Sequence, residues 1–185
     1  MLSYRSSLVA ASVCLTVACM QQTPSEPSQA GITGSSQNAV GGLPLSASIA
    51  FGQPDTGSTF PPPSGHDSSS HAKDNLVPRT VVIARGGTVT FDLSGPGRAI
   101  HQVSIYPDGT EPGDVDTTIL APPVAGCPPV PLIADPDGIV LAPQPCAGGP
   151  TAPSYTFNEP GRYLVICAFL PHFADFGMYG WVIVR

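Results

Sequence analysis

Cys167, His172 and Met178 bring a thiol, an imidazole and a thioether into one short stretch, Cys-x4-His-x5-Met, close to the end of the chain. Thiolate and thioether sulfur are soft donors that prefer copper, and imidazole suits both of its common oxidation states. Such a site needs a second imidazole from elsewhere, and His101 can supply it. His101 has the same parity as Val103 and Ile105 and so points with them towards an interior. Each residue also has an ordinary use: His101 as a satisfied core histidine, Met178 as core filler, Cys167 as an inert buried thiol. Their joint occurrence, in this order and at candidate strand ends, favours the metal site.

The cysteines set a second constraint. Five are present, and Cys14 and Cys19 fall in an N-terminal stretch that reads as an export signal. In an exported chain a pair of cysteines is expected to bridge, and an odd one demands an explanation. Cys127 and Cys146 flank a Pro-rich segment with little core of its own, so a Cys127–Cys146 disulfide is expected there. Its loop-closure contribution would be about 3 kcal/mol. The rival use of both as metal ligands lacks a nearby His or carboxylate at ligand spacing. Cys167 is then left as the thiol available to a metal.

The elements that must position these residues belong to an exported domain. Residues 1–19 combine Arg5, an apolar run over 8–17 that is too short to span a bilayer, and small residues after it. Thr16-Val17-Ala18-Cys19 is similar to a bacterial lipoprotein processing site, which would make Cys19 the lipidated first residue of the mature chain. Ordinary cleavage or a retained anchor is the alternative. Residues 20–43 are rich in Gln, Thr, Pro, Ser and Gly, and read as a disordered tether. Residues 44–185 are expected to form the folded domain, with irregular insertions at about 53–74 and 107–153. His66 and His71 lie in the first insertion, where solvated loop histidines are favoured over a weak metal site.

Short strands with alternating character punctuate the domain. Residues 45–51 place Leu45, Ala47, Ile49 and Phe51 on one face. Strands are also expected at 81–83 and 88–93, around the Gly86-Gly87 turn, and at 100–106, 155–157, 162–167 and 179–184. No sustained helical period is visible. With 23 Pro and 20 Gly, the fold class is all-β, a sandwich or barrel. Charged residues are 11% of the chain and the net charge is −6, which argues against a nucleic-acid binder. No Ser-His-Asp pattern or carboxylate pair is placed for acid–base work, and a non-enzymatic role is expected.

The ordered set Gly86-Gly87-Thr88-Val89-Thr90-Phe91, His101, Pro160-Gly161-Arg162-Tyr163, Cys167, His172, Met178 and Tyr179-Gly180-Trp181-Val182-Ile183-Val184 resembles the cupredoxins, the small blue-copper proteins such as plastocyanin, azurin and rusticyanin. The resemblance covers about residues 76–185. It implies a cupredoxin-like Greek-key β-sandwich carrying one mononuclear type 1 copper site. His101, Cys167 and His172 would form the equatorial set and Met178 the weak axial ligand. The His172–Met178 interval is a residue longer than in the commonest loops of that group, and Gln102 stands where many relatives have Asn. The implied role is electron transfer in the periplasm or another extracytoplasmic space. The implied partners are transient redox proteins docking on apolar residues around His172: Phe169, Leu170, Pro171, Phe173 and Phe176. A monomer is expected, touching a membrane only through a lipid on Cys19. Periplasmic copper storage or delivery is the alternative function.

Overall fold

The structure is a computed structural model that describes residues 39–54, 75–94, 100–123, 125, 127–141 and 151–185. Cys19, His66, His71 and Cys146 lie outside the described residues, as do the signal, most of the tether and most of the first insertion.

Among the described residues, eleven strands, one 3-10 turn (Pro112–Asp114) and one short α-helix follow in order: β1 (Ala39–Val40), β2 (Leu43–Pro44), β3 (Ser46–Gln53), β4 (Asn75–Val77), β5 (Thr80–Ile83), β6 (Gly87–Asp92), β7 (Val103–Asp108), the 3-10 turn, β8 (Ile139–Val140), β9 (Ser154–Phe157), β10 (Gly161–Cys167), α1 (Leu170–Ala174) and β11 (Tyr179–Val184). The all-β expectation holds. Regular structure begins earlier than expected, because β1 lies within residues 20–43 and pairs antiparallel with β2 at their boundary. A Gly41-Gly42 turn with positive φ at both residues joins them, and a turn of that kind needs no long apolar run to form.

Two sheets make the body, one in the order β4-β3-β6-β9 and the other β5-β11-β10-β7-β8. Most pairs are antiparallel, but β3 lies parallel to β6 and β5 parallel to β11. Ile49 and Phe51 of β3, Val89 and Phe91 of β6 and Phe157 of β9 pack against Val81, Ile83, Val103, Ile105, Val165, Val182 and Val184 from the other sheet. Burying each such side chain contributes about 1.5–3 kcal/mol.

The two sheets differ on their outer faces. The four-stranded sheet meets solvent, and its outward hydroxyls pair across strands: Thr88 with Thr156 at 2.8 Å and Thr90 with Ser154 at 2.9 Å. The five-stranded sheet is covered on both sides around β10. Leu164 and Ile166 of β10 alternate with Val165 and Cys167, and the first pair packs with Tyr106, Tyr179 and Trp181 under Val115 and Ile133 from the 107–153 segment. That double burial is why β10 reads Leu-Val-Ile-Cys without polar alternation. Described residues of the 107–153 segment, Val115 and Ile133 among them, roof a second apolar layer. Tyr106 lies under that roof. Burial, and then the nearby Asp135 and Asp137 charges, hold its hydroxyl protonated far above the usual range.

Candidate metal centre

The site forms where β7, β10 and β11 end together. The antiparallel register of β7 and β10 sets Cys167 opposite Val103, and the ladder runs one bond further, from Ala168 N–H to Gln102 O at 2.7 Å. That bond fixes His101 next to the end of β10. The strand expected over 100–106 starts at Val103, so His101 and Gln102 precede it while keeping its side-to-side alternation. Gln102 ties the two segments through its backbone, and its side chain is buried. Cys167 N–H donates to Met178 O at 3.0 Å, which extends the β10–β11 ladder to the residue before β11.

Between Cys167 and Met178 the chain makes the single helical turn α1. Its length is too short for an amphipathic period to register, so the sequence reading missed it. Pro171 sits in the first turn, where its missing N–H costs nothing. Gly177, at φ +64°, then reverses the chain in a conformation that a side chain disfavours. Met178 N–H returns to His172 O at 2.8 Å. The longer His172–Met178 interval is thus taken up by a helical turn, and Met178 still arrives beside Cys167 through its backbone.

His101, Cys167 and His172 are brought together, each buried, with their donor atoms within 4.8 Å of one another. Cys167 Sγ lies 3.7 Å from His101 Nδ1 and 3.6 Å from His172 Nδ1. A thiol has one proton and can donate to only one of these nitrogens. An ion bonded to N at about 2.0 Å and to S at about 2.3 Å, with bonds about 120° apart, would separate those atoms by about 3.7 Å. The donor set therefore fits a trigonal metal site. Met178 is fully buried in the core cluster that contains Cys167.

The surroundings hold the two rings in place. Phe51 meets His101 edge-on at 6.0 Å between centroids, and Phe169 meets His172 at 4.5 Å and 80°. Phe176 lies 5.9 Å from His172. Phe169 and Phe176 are half-buried around His172, beside half-buried Pro171, whereas Leu170 packs against the second apolar layer. Phe173 is not part of that rim: it faces the other way and is fully buried in the second apolar layer.

Two supporting residues were not legible in the sequence. Gly52, near the end of β3, has φ +68°, and a Cβ there would lie 2.6 Å from His101 Nε2. Arg79, just before β5, donates from Nη1 to Gly177 O at 3.0 Å and also bonds the Asn75 side chain. A Gly within a strand and an Arg after a Pro carry no signal of their own, because the contacts are made across the two sheets and to the ligand loop. Cys127 is disulfide-bonded, whereas Cys167 is not in a disulfide.

No protein-family model and no curated protein matches the chain. Among solved structures, auracyanin from Roseiflexus castenholzii is 22% identical, covering 78% of this chain and 99% of its own, with a TM-score of 0.45. Pseudoazurin from Hyphomicrobium denitrificans is 17% identical over 75% of this chain and 74% of its own, with a TM-score of 0.38. Plastocyanin from Dryopteris crassirhizoma is 17% identical over 75% of this chain and all of its own, also at 0.38. The chain is therefore similar to auracyanin, pseudoazurin and plastocyanin, the last a member of the group that its ligand-bearing sequence resembles.

Proposed function

We propose that the chain is a type 1 copper electron carrier that works outside the cytoplasm, with His101, Cys167 and His172 holding one copper ion and Met178 as the weak fourth ligand. The observation that carries this reading is the buried triangle of one sulfur and two Nδ1 atoms with edges of 3.6 and 3.7 Å. Bound copper would supply a one-electron Cu(I)/Cu(II) couple and an intense thiolate-to-copper absorption. The protein's part is to fix the donors and exclude water. His101 and His172 are 3% and 5% exposed, so ligand rings do not swing into solvent. The strand ends and the turn α1 hold Cys167 and His172 through backbone bonds, which keeps rearrangement on electron transfer small. Half-buried Phe169, Pro171 and Phe176 offer a redox partner a small apolar contact around one ligand, suited to brief encounters.

The same proposal includes export through residues 1–19, lipidation at Cys19, a tether before Ala39 and a Cys127–Cys146 bridge. These parts rest on the sequence and on the disulfide state of Cys127. The mass of the mature N-terminal peptide tests the first two.

Titrating Cu(II) into the purified metal-free protein should give strong colour that saturates at one equivalent. A colourless protein would remove the reading. Rapid loss of Cu(I) to an acceptor chelator, in place of reversible redox cycling with copper retained, would replace the carrier with a delivery protein.

A further inference from the structure

Residues 131–133 lie against the ligand loop as an added row of β-type pairing. Ile133 N–H donates to Ala168 O at 2.8 Å, and Leu170 N–H donates to Pro131 O at 2.9 Å. Leu132 faces Phe169 between these two bonds. On the far side, Ala121 N–H donates to Leu132 O and Ala134 N–H to Ile119 O, both at 2.8 Å. Residues 119–121, 131–134 and 168–170 thus make a small ladder of three rows. Its innermost row is the piece of chain that joins Cys167 to His172.

The physical need is plain. Beyond Ala168 the loop has run off the end of the β7–β10 ladder, so Ala168 O and Leu170 N–H need partners from outside that sheet. The 131–133 row provides both. It is itself anchored: Leu132 and Ile133 are 1% and 2% exposed, and Ile133 packs with Ala168 and Phe173. Asp135, buried at the end of the middle row, accepts from Asp116 N–H at 2.9 Å and Asp137 N–H at 3.1 Å. None of these groups is a donor to the candidate metal.

We propose that the two paired rows 119–121 and 131–134 are a positioning element that holds the Cys167–His172 loop in its metal-ready geometry before any metal binds. The significance of that loop rests on the function proposed above, and the test separates the two. Leu132→Ala loosens the central row, Leu132→Met should restore it, and Ile133→Pro removes the N–H that meets Ala168 O. Val115→Ala trims the same apolar layer outside the ladder and serves as control. In metal-free protein, under conditions where it stays folded, peptide mapping follows iodoacetamide labelling of the buried Cys167. Leu132→Ala should label about five- to tenfold faster, as when a local opening loses roughly one hydrogen bond. Val115→Ala should label at the parent rate. With copper added, the thiolate band and reduction potential should shift in Leu132→Ala but not in Val115→Ala.

Equal labelling of Leu132→Ala and Val115→Ala would overturn the proposal. If the ladder variants do not fold, hydrogen exchange of the parent protein decides: Ile133 and Leu170 amides should be protected and open together, and an unprotected Leu170 would overturn it. Ladder-dependent labelling in a protein that gives no copper colour supports the positioning role and removes the copper reading. Copper colour with labelling and band unmoved does the reverse.

Discussion

At the residue scale, three side chains from two segments of the chain share one small buried space, and thiolate and imidazole have distinct expected losses. Cys167→Ser should abolish the colour of copper-loaded protein, because a hydroxyl oxygen does not give the sulfur-to-copper charge transfer. His101→Ala or His172→Ala should weaken copper binding or open the site to an added imidazole, which titration would detect. Met178→Leu should keep copper and colour while raising the reduction potential measured by voltammetry, since a weak donor to Cu(II) is lost and the pocket becomes more apolar. An unchanged potential and spectrum would make Met178 a packing residue. Gly52→Ala tests the wall behind His101. Its Cβ would fall 2.6 Å from Nε2 in a backbone region costly for alanine, so copper affinity should drop by an amount reflecting about 1–3 kcal/mol of strain. An affinity equal to the parent's would show that His101 can shift without consequence.

At the element scale, the strand ends act as a frame and the short turn α1 as an adjustable spacer. The ends of β7, β10 and β11 are tied by Ala168 N–H to Gln102 O and Cys167 N–H to Met178 O, while Arg79 bonds the turn residue Gly177 from outside the loop. Arg79→Met removes that tie and should shift the potential and speed copper loss to a chelator by about tenfold, in line with a hydrogen bond to a charged group worth roughly 1.5–3 kcal/mol. Arg79→Lys keeps the charge and should recover part of the loss. Parent-like potential and copper loss in both variants would mean that Arg79 does not reach the site. Most strands were legible from their apolar alternation, and β11 was read to the residue because Tyr179–Val184 is apolar and bounded by loop and terminus. β4 was not, since Asn75–Val77 is too short to show a period, and the same holds for α1.

At the scale of the whole molecule, the five-stranded sheet is the middle of three layers, with the sandwich core on one face and the 107–153 segment on part of the other. Ile166→Ala, fully buried in the outer layer, should therefore cost about 2–5 kcal/mol, a loss expected for a core position and not for a surface strand. Read by thermal unfolding, each kcal/mol corresponds to about 2–4 °C for a chain of this size. A fall of under a degree would mean that the outer layer is not a stabilising core. The sequence by itself determined the all-β class, most of the strand pattern and the choice of His101, Cys167 and His172 as candidate ligands, because donor chemistry and two-residue alternation are written locally. It also marked Cys127 and Cys167 for different fates. Only the tertiary structure decided that Val115 and residues 131–134 roof part of the sheet and brace the ligand loop, that Phe173 turns inward, and that Gly52 and Arg79 stand against the site. Those facts are contacts between segments far apart in the chain, and spacing along a sequence carries no information about which distant backbone will come to lie within a hydrogen bond's length.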